Sequence, residues 1–272
     1  MQFSIITPSF RSSDWLKLCV ASVADQGVEV EHIVQDSCSD DGTQDWLPRD
    51  PRVKAFIEKD GGMYDAVNRG LRRAGGEILA YLNADEQYLP DALAAVGRCF
   101  AAHPEAEVIF GDVIVVDAAG RWLGSRQAGL PRKYHTWVSD TMSVASCGMF
   151  FRRSLIQKRG LFFDEGFKDL GDVAWVLALI ERRVPMRLLG EFTSVFTETG
   201  QNMGQRANAR QERAELVAAA PAWARRARPL FVFQHRLRRL LAGHYFQKPA
   251  RYSLYTLTSP AARVTMEAAR QN

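Results

Sequence analysis

Apolar and polar positions alternate in two rhythms over the first third of the chain. Gln2 to Thr7 alternates, is rich in isoleucine and meets Pro8, which predicts a first strand ending in the turn Pro8-Ser9-Phe10-Arg11. Ser12 or Ser13 is placed to cap a following helix that runs to about Gln26, with Trp15, Leu18, Cys19, Ser22 and Val23 on one face. Val28 to Val34 predicts a second strand, broken by Asp36-Ser37-Cys38-Ser39-Asp40-Asp41-Gly42-Thr43. A third strand, Val53 to Ile57, leads through Lys59-Asp60-Gly61-Gly62 into a helix from Met63 to Arg73. In Gly76 to Pro90 an apolar run, Ile78 to Leu82, stops at Asn83-Ala84-Asp85-Glu86, the mark of a buried strand with polar groups at its carboxyl end.

Strands separated by helices predict a parallel sheet whose strand ends open on one edge, where open α/β sheets keep their ligands. The four ends supply Thr7 to Arg11, Asp36 to Thr43, Asp60 to Asn68 and Asn83 to Glu86, a set rich in hydroxyls, carboxylates and glycines. A packed core does not want that chemistry, whereas a nucleotide with a metal-bound diphosphate does. Alternation puts Asn83 and Asp85 on one side of the chain, as oxygen donors to a hard cation. The same four residues also fit a solvated turn whose acids cap a helix starting near Pro90.

The second half has a different grain. Asp91 to Ala102 predicts a helix, Val108 to Val116 a strand, and Trp122 to Arg126 its partner after the turn Ala118-Ala119-Gly120, so the sheet is expected to become mixed. Val144 to Arg152 reads as a strand interrupted at Cys147-Gly148, followed by a short helix from Ser154 to Arg159. Val173 to Arg182 is helical, and Asp172 falls at or just before its first turn, where the dipole favours an ionised carboxylate and where a plain N-cap would also sit. Met186 to Phe196 has the apolar residues of a strand pair, Thr197 to Gly204 is a polar loop, and a helix from about Gln205 to Ala220 looks peripheral. Residues 1–220 thus form the principal domain.

Composition changes the picture in one place. At 272 residues, 47% hydrophobic and 24% charged, the chain is an ordinary globular one with a sizeable core. Its four cysteines are spread widely and form no CxxC pair, so neither a zinc site nor a disulfide framework is suggested, which fits a reducing, cytoplasmic setting. Neither a signal peptide nor an apolar run of membrane-spanning length stands out. The net charge of +4, however, hides an asymmetry: residues 221–251 hold eight basic residues and no acid, leaving the remainder at −4. There Leu230, Phe233, Leu237, Leu240, Leu241 and Tyr245 lie near one helical face among arginines. Residues 221–272 are expected to be a basic amphipathic helical tail for an anionic membrane surface, or a helix packed on the domain, or a dimer contact. Without an aromatic stacking platform the basic segment does not suit nucleic acid.

In order along the chain, Ile5-Ile6-Thr7-Pro8-Ser9-Phe10, Asp36 through Asp41-Gly42-Thr43, Asp60-Gly61-Gly62-Met63-Tyr64-Asp65-Ala66-Val67-Asn68-Arg69-Gly70, Leu82-Asn83-Ala84-Asp85-Glu86 and Phe162 to Asp172 resemble the motifs of the family 2 glycosyltransferases of the GT-A fold, over roughly residues 2–200. The third is similar to the DxGxYDAxNxG pattern of bacterial polysaccharide enzymes, and the fourth occupies the DxD position. The resemblance implies an α/β GT-A fold: a mostly parallel central sheet flanked by helices, with a C-terminal helical extension. It implies an inverting transfer from a nucleotide-diphosphate sugar, with a UDP-sugar expected, to a saccharide or lipid-linked saccharide in bacterial surface polysaccharide synthesis.

Carried over by position, it implies that Thr7, Pro8, Ser9, Arg11, Asp36, Ser37, Asp65, Asn68, Asn83 and Ala84 line the nucleotide-sugar pocket. Asp85 would ligate Mn²⁺ or Mg²⁺ with Asn83 or Glu86 in support, and Asp172 would be the general base. Three positions depart from the pattern. Ser37 stands where many members have a base-reading Asp, Asn83 replaces the first Asp of DxD, and Glu86 replaces a frequent Asp, its longer arm expected to reach solvent. These departures keep open an inactive nucleotide-sugar or carbohydrate-binding module. A sugar-phosphate nucleotidyltransferase ranks below it, because the loop Pro8 to Ser13 has no glycine.

Overall fold

The computed structural model describes residues 2–200, 207–245 and 251–268. The strands are β1 (Phe3–Ser9), β2 (Val30–Asp36), β3 (Lys54–Ile57), β4 (Ile78–Tyr81), β5 (Glu86–Tyr88), β6 (Val108–Asp117), β7 (Trp122–Arg126), β8 (Met149–Arg152), β9 (Met186–Glu198), β10 (Arg251–Thr256) and β11 (Ser259–Glu267). The helices are α1 (Ser13–Ala24), α2 (Thr43–Trp46), α3 (Met63–Arg73), α4 (Ala92–Ala102), α5 (Lys133–Val138), α6 (Ser154–Gln157), α7 (Gly171–Glu181), α8 (Ala207–Ala219), α9 (Ala222–Arg226) and α10 (Arg228–Leu241).

A nine-stranded sheet runs β3-β2-β1-β4-β8-β6-β9-β5, with β7 on β6. Its first four strands are parallel, so β1 to β4 all end on one edge, as their apolar runs predicted. From β8 onward antiparallel pairs enter, which is the expected change of grain. Residue parity along the strands divides the core in two. Phe3 and Ile5 of β1 with Ile78 and Ala80 of β4 face α1 and α4, while Ile6, Leu79 and Tyr81 face α3, α7 and the rings of Phe151, Phe163 and Trp175.

Several expectations change. Met186 to Phe196 is one long strand, not a pair, because Gly190 takes a left-handed φ of 75° and register shifts against β6 absorb the irregularity inside β9. Only the last four residues of Val144 to Arg152 are strand. The acids after β4 do not cap the next helix, since β5 intervenes and pairs with β9. The helical tail expected over 221–272 ends at Leu241, and β10 and β11 form a hairpin. Tyr252 and Leu254 pack on Leu89, Ile114 and Val195. Gln87 exchanges two 2.9 Å hydrogen bonds with the Tyr255 backbone, and Arg263 and the Tyr255 hydroxyl donate to Asp25.

Candidate active site

The edge where the parallel strands end is built loop on loop. Asp36, fully buried at the end of β2, accepts from the Ser9 hydroxyl (3.0 Å), the Ser39 amide (2.8 Å) and the Ser39 hydroxyl (2.7 Å), fastening the β1 loop to the β2 loop. Arg11 donates its amide to Ser39 Oγ (2.8 Å) and its guanidinium to Asp40 in a two-pronged ion pair (2.6 and 2.7 Å). Arg11 and Cys38 take left-handed φ values of 50° and 57°, a conformation non-glycine residues hold only where surrounding contacts impose it. Helix α1 is capped from across the sheet: Asp41 accepts the Ser13 amide at 2.8 Å, while the Ser12 hydroxyl turns back to the Phe10 carbonyl.

The β3 loop joins the same network. The Asp60 amide donates to Ser37 Oγ at 3.3 Å, and burial raises the Asp60 carboxyl above its ordinary range. Asp65, in the first turn of α3, accepts the Gly61 amide (2.8 Å) and both prongs of Arg69 (3.0 and 2.8 Å). Although burial pushes its carboxyl up, those partners bring it below the usual range.

Three residues assigned to the nucleotide pocket turn inward instead. The Thr7 hydroxyl is fully buried between His32 Nε2 (2.9 Å) and Cys19 Sγ (3.6 Å), because β1 still alternates at Thr7 and presents that side chain to the sheet interior. Ala84 packs on Leu16, Val20, Val34 and Leu47. Asn68 is also buried, spending its amide on the loop that precedes α7. Its Nδ2 donates to the Phe163 carbonyl (2.9 Å) and Glu165 (2.8 Å), and its Oδ1 accepts the Phe163 amide (3.0 Å).

At the end of β4, Asn83 and Asp85 are partly exposed while Leu82 and Ala84 are buried, which is the predicted alternation. Glu86 corrects the sequence reading. It is 1% exposed, its Oε2 accepts the Asn83 amide at 2.9 Å, and its Oε1 has no partner. Burial, with the neighbouring charge of Asp85, pushes its carboxyl up to about 8, and burial raises Asp85 as well. Asn83 Oδ1 is likewise buried without a partner. Orphaned oxygens beside a desolvated carboxylate fit a hard cation that takes its remaining ligands from phosphate and water. No group of three His, Cys, Asp or Glu side chains suited to a metal occurs among the described residues.

Asp172 is the second residue of α7 and meets Tyr64 of α3. The Tyr64 hydroxyl accepts the Asp172 amide (3.0 Å) and lies 3.5 Å from Asp172 Oδ1, which itself accepts the Val173 amide at 2.8 Å. Burial raises the Asp172 carboxyl, opposed by the Val173 amide, the charge of Arg213 and Tyr64. Lys168 extends from the same loop to the Gly61 carbonyl at 2.9 Å. The rings of Tyr64, Phe163 and Trp175 stack in sequence, and Tyr81 of β4 meets Phe163 edge-on.

Sequence reasoning missed what holds this loop. Glu212 of α8 accepts the amides of Lys168 (2.6 Å), Asp169 (3.1 Å) and Leu170 (2.9 Å), with Asn208 bridging Glu212 and Asp169. Burial pushes the Glu212 carboxyl up, but this set of donors brings it below the usual range. The helix expected to be peripheral is therefore a clamp on the loop that carries Asp172. A negative charge there also faces the positive end of α7.

Residues 4–160 match the family described as Glycosyl transferase family 2. The chain belongs to that family. Among similar proteins, a PGL/p-HBAD biosynthesis glycosyltransferase of Mycobacterium bovis is 35% identical over 130 residues, 45% of this chain and 51% of its own length. The chain thus spans about half the length of that relative. An uncharacterized glycosyltransferase of Mycobacterium tuberculosis is 30% identical over 200 residues, covering 70% of this chain and 74% of the relative. The fold resembles that of Staphylococcus aureus TarS 1-349 in complex with UDP-GlcNAc, at a TM-score of 0.61 and 20% identity over 79% of this chain and 64% of that one. The GT-A architecture read from the motifs is the one observed.

Proposed function

We propose that this family 2 chain is an inverting glycosyltransferase. It moves a sugar from a nucleoside-diphosphate donor, a UDP-sugar by analogy with TarS, to a hydroxyl of a saccharide or lipid-linked saccharide in bacterial surface polysaccharide or glycolipid synthesis, at the cytoplasmic face of the membrane. One observation carries the reading: the Tyr64 hydroxyl, on the helix that follows the donor-side Asp60-Gly61-Gly62 turn, holds Asp172 by its amide and lies beside its carboxylate. That contact supports a base held beside the edge where β1 to β4 end.

On this reading the nucleoside lies along the Ser9, Asp36 and Ser39 network, with Arg11, Ser37 and Asp65 around it. Asp172 takes the proton of the acceptor hydroxyl while that oxygen bonds to the anomeric carbon. The bond from that carbon to the diphosphate oxygen breaks on the opposite side, so configuration inverts. Burial makes Asp172 a stronger base than an exposed carboxylate. Asp85, beside Asn83, would hold Mn²⁺ or Mg²⁺, which when bound would neutralise charge on the departing diphosphate.

Asp172→Asn should lower turnover by about 10²- to 10⁴-fold and leave nucleotide affinity within about twofold of the parent, while Asp85→Ala should damage both. Thermal stabilisation by a panel of nucleotide sugars with manganese identifies the donor, and product anomeric configuration by NMR tests inversion. Undiminished transfer in Asp172→Asn removes the base assignment. Nucleotide-sugar binding with neither transfer nor hydrolysis favours the binding module that Ser37 and Asn83 leave open.

A further inference from the structure

No helix among the described residues is long and apolar enough to cross a membrane. Large apolar side chains are nonetheless left in water in one place above all. Trp223, Leu230, Phe233, Leu237, Leu240, Leu241 and Tyr245 are all exposed, Phe233 at 62% and Leu241 at 78%. Scattered exposed leucines are ordinary, but a contiguous apolar face marks an interaction surface. The face is not an unpacked helix awaiting a core, because the opposite side of α10 is already used. Phe231 stacks on Tyr134 at 5.3 Å and His235 on His135 at 3.8 Å, while Ala220 and Ala224 pack with Val138. At 100° per residue, Leu230, Phe233, Leu237, Leu240 and Leu241 fall within one arc, and Phe231 and His235 lie roughly opposite.

Charge selects the partner. Arg225, Arg226, Arg228, Arg236, Arg238 and Arg239 accompany this face, and no acid occurs between 221 and 251. Arg228 pairs with Asp140. Arg226 and Arg236 are exposed with no ion-pair partner among the described residues. An apolar strip inside an all-basic border matches the acyl and headgroup layers of an anionic leaflet. A second copy of the same face would set arginines against arginines.

We infer that α9 and α10 dock this protein on an anionic lipid surface, with Phe233, Leu237 and Leu241 entering the acyl boundary and Arg226 and Arg236 meeting lipid phosphates. Helix α10 packs on α5, and α5 packs on α7, the helix that carries Asp172. Two helix-to-helix spacings of about 8–10 Å each therefore separate the docking face from the base. Resting on the glycosyl-transfer reading, this placement makes the acceptor a lipid-carried saccharide presented from the leaflet.

Flotation with phosphatidylcholine vesicles, with and without phosphatidylglycerol, tests the dock without donor or acceptor, so it stands apart from the transfer reading. The parent should float with anionic vesicles and be released by high salt. The triple variant Phe233→Ser, Leu237→Ser, Leu241→Ser should lose binding at least tenfold with an unchanged melting temperature, and Arg226→Glu with Arg236→Glu should lose it only for anionic vesicles. A parent that stays unbound, or a triple variant that binds as the parent does, overturns the assignment. So does a dimer that the triple substitution dissociates while neither form floats, which would make the face a contact between two copies.

Discussion

His32 offers a quantitative test of the buried network beneath the donor edge. It is 3% exposed on β2, its Nε2 meets the Thr7 hydroxyl and its Nδ1 has no partner. Burial lowers its pKa to about 3, with opposed effects from Asp50 and Arg52. In an unfolded chain the imidazole titrates near 6.5, so below that pH the unfolded state binds a proton that the folded state refuses. Stability is fully present above about pH 6.5 and falls as pH drops toward 3. At roughly 1.4 kcal/mol per unit, the loss between pH 7 and pH 4 from this one residue is about 3 kcal/mol. His135 and His235, both lowered to about 4 chiefly by burial, add losses of the same sign. His32→Gln keeps a polar partner for Thr7 and removes the titration. Urea unfolding followed by tryptophan fluorescence at pH 7 and pH 4 should show the variant losing about 3 kcal/mol less than the parent over that interval. At pH 7 the variant should be weaker by about 1–2 kcal/mol from imperfect packing. Equal losses in the two proteins would refute a neutral, buried His32.

Two further substitutions probe the loop that leads into Asp172. A Cβ at Gly171 would lie 2.6 to 2.8 Å from three ring atoms of Tyr64, itself stacked on Phe163, so Gly171→Ala must move the ring that holds Asp172. It should cost about 1–3 kcal/mol of stability and reduce kcat more than nucleotide affinity, measured by steady-state kinetics beside nucleotide titration. Glu212→Gln places an amide where oxygens accept three backbone N–H groups, and should lower melting stability by about 1–3 kcal/mol and kcat by several-fold; parent-like kinetics would return α8 to a peripheral role.

The parallel half of the sheet was legible because strands buried on both faces read as short apolar runs, and α3 because Gly62 and the 3.6-residue period bound it at Met63 and Arg73. Elements that depend on distant partners were not legible. Nothing local tells that Glu86 is buried, since a carboxylate at a strand end ordinarily faces water, and its burial follows from the β5 pairing with β9. Residues 251–267 do alternate, but the preceding basic helix hides a hairpin whose anchors, Gln87 and Asp25, lie far back in the chain. The clamp by Glu212 was invisible for the same reason, its three amide partners lying 42 to 44 residues away. The polar loop expected over Thr197 to Gly204 starts inside β9, which runs to Glu198, and lies outside the described residues from 201 onward.

At the site, the motif letters proved informative about one another more than about a ligand. Asn68 belongs to the motif that opens α3, yet its amide is spent on Phe163 and Glu165 of the segment that precedes α7. Tyr64 of the first motif reaches Asp172 of the second, and Gly171 precedes that aspartate because any side chain there would collide with Tyr64. Such reciprocal contacts explain in physical terms why the two patterns occur together in one chain. Each supplies the surface that makes the other's residues fit. Tyr64 on α3 and Asp172 on α7 therefore share one rigid support, and a change at either motif should be felt at the other.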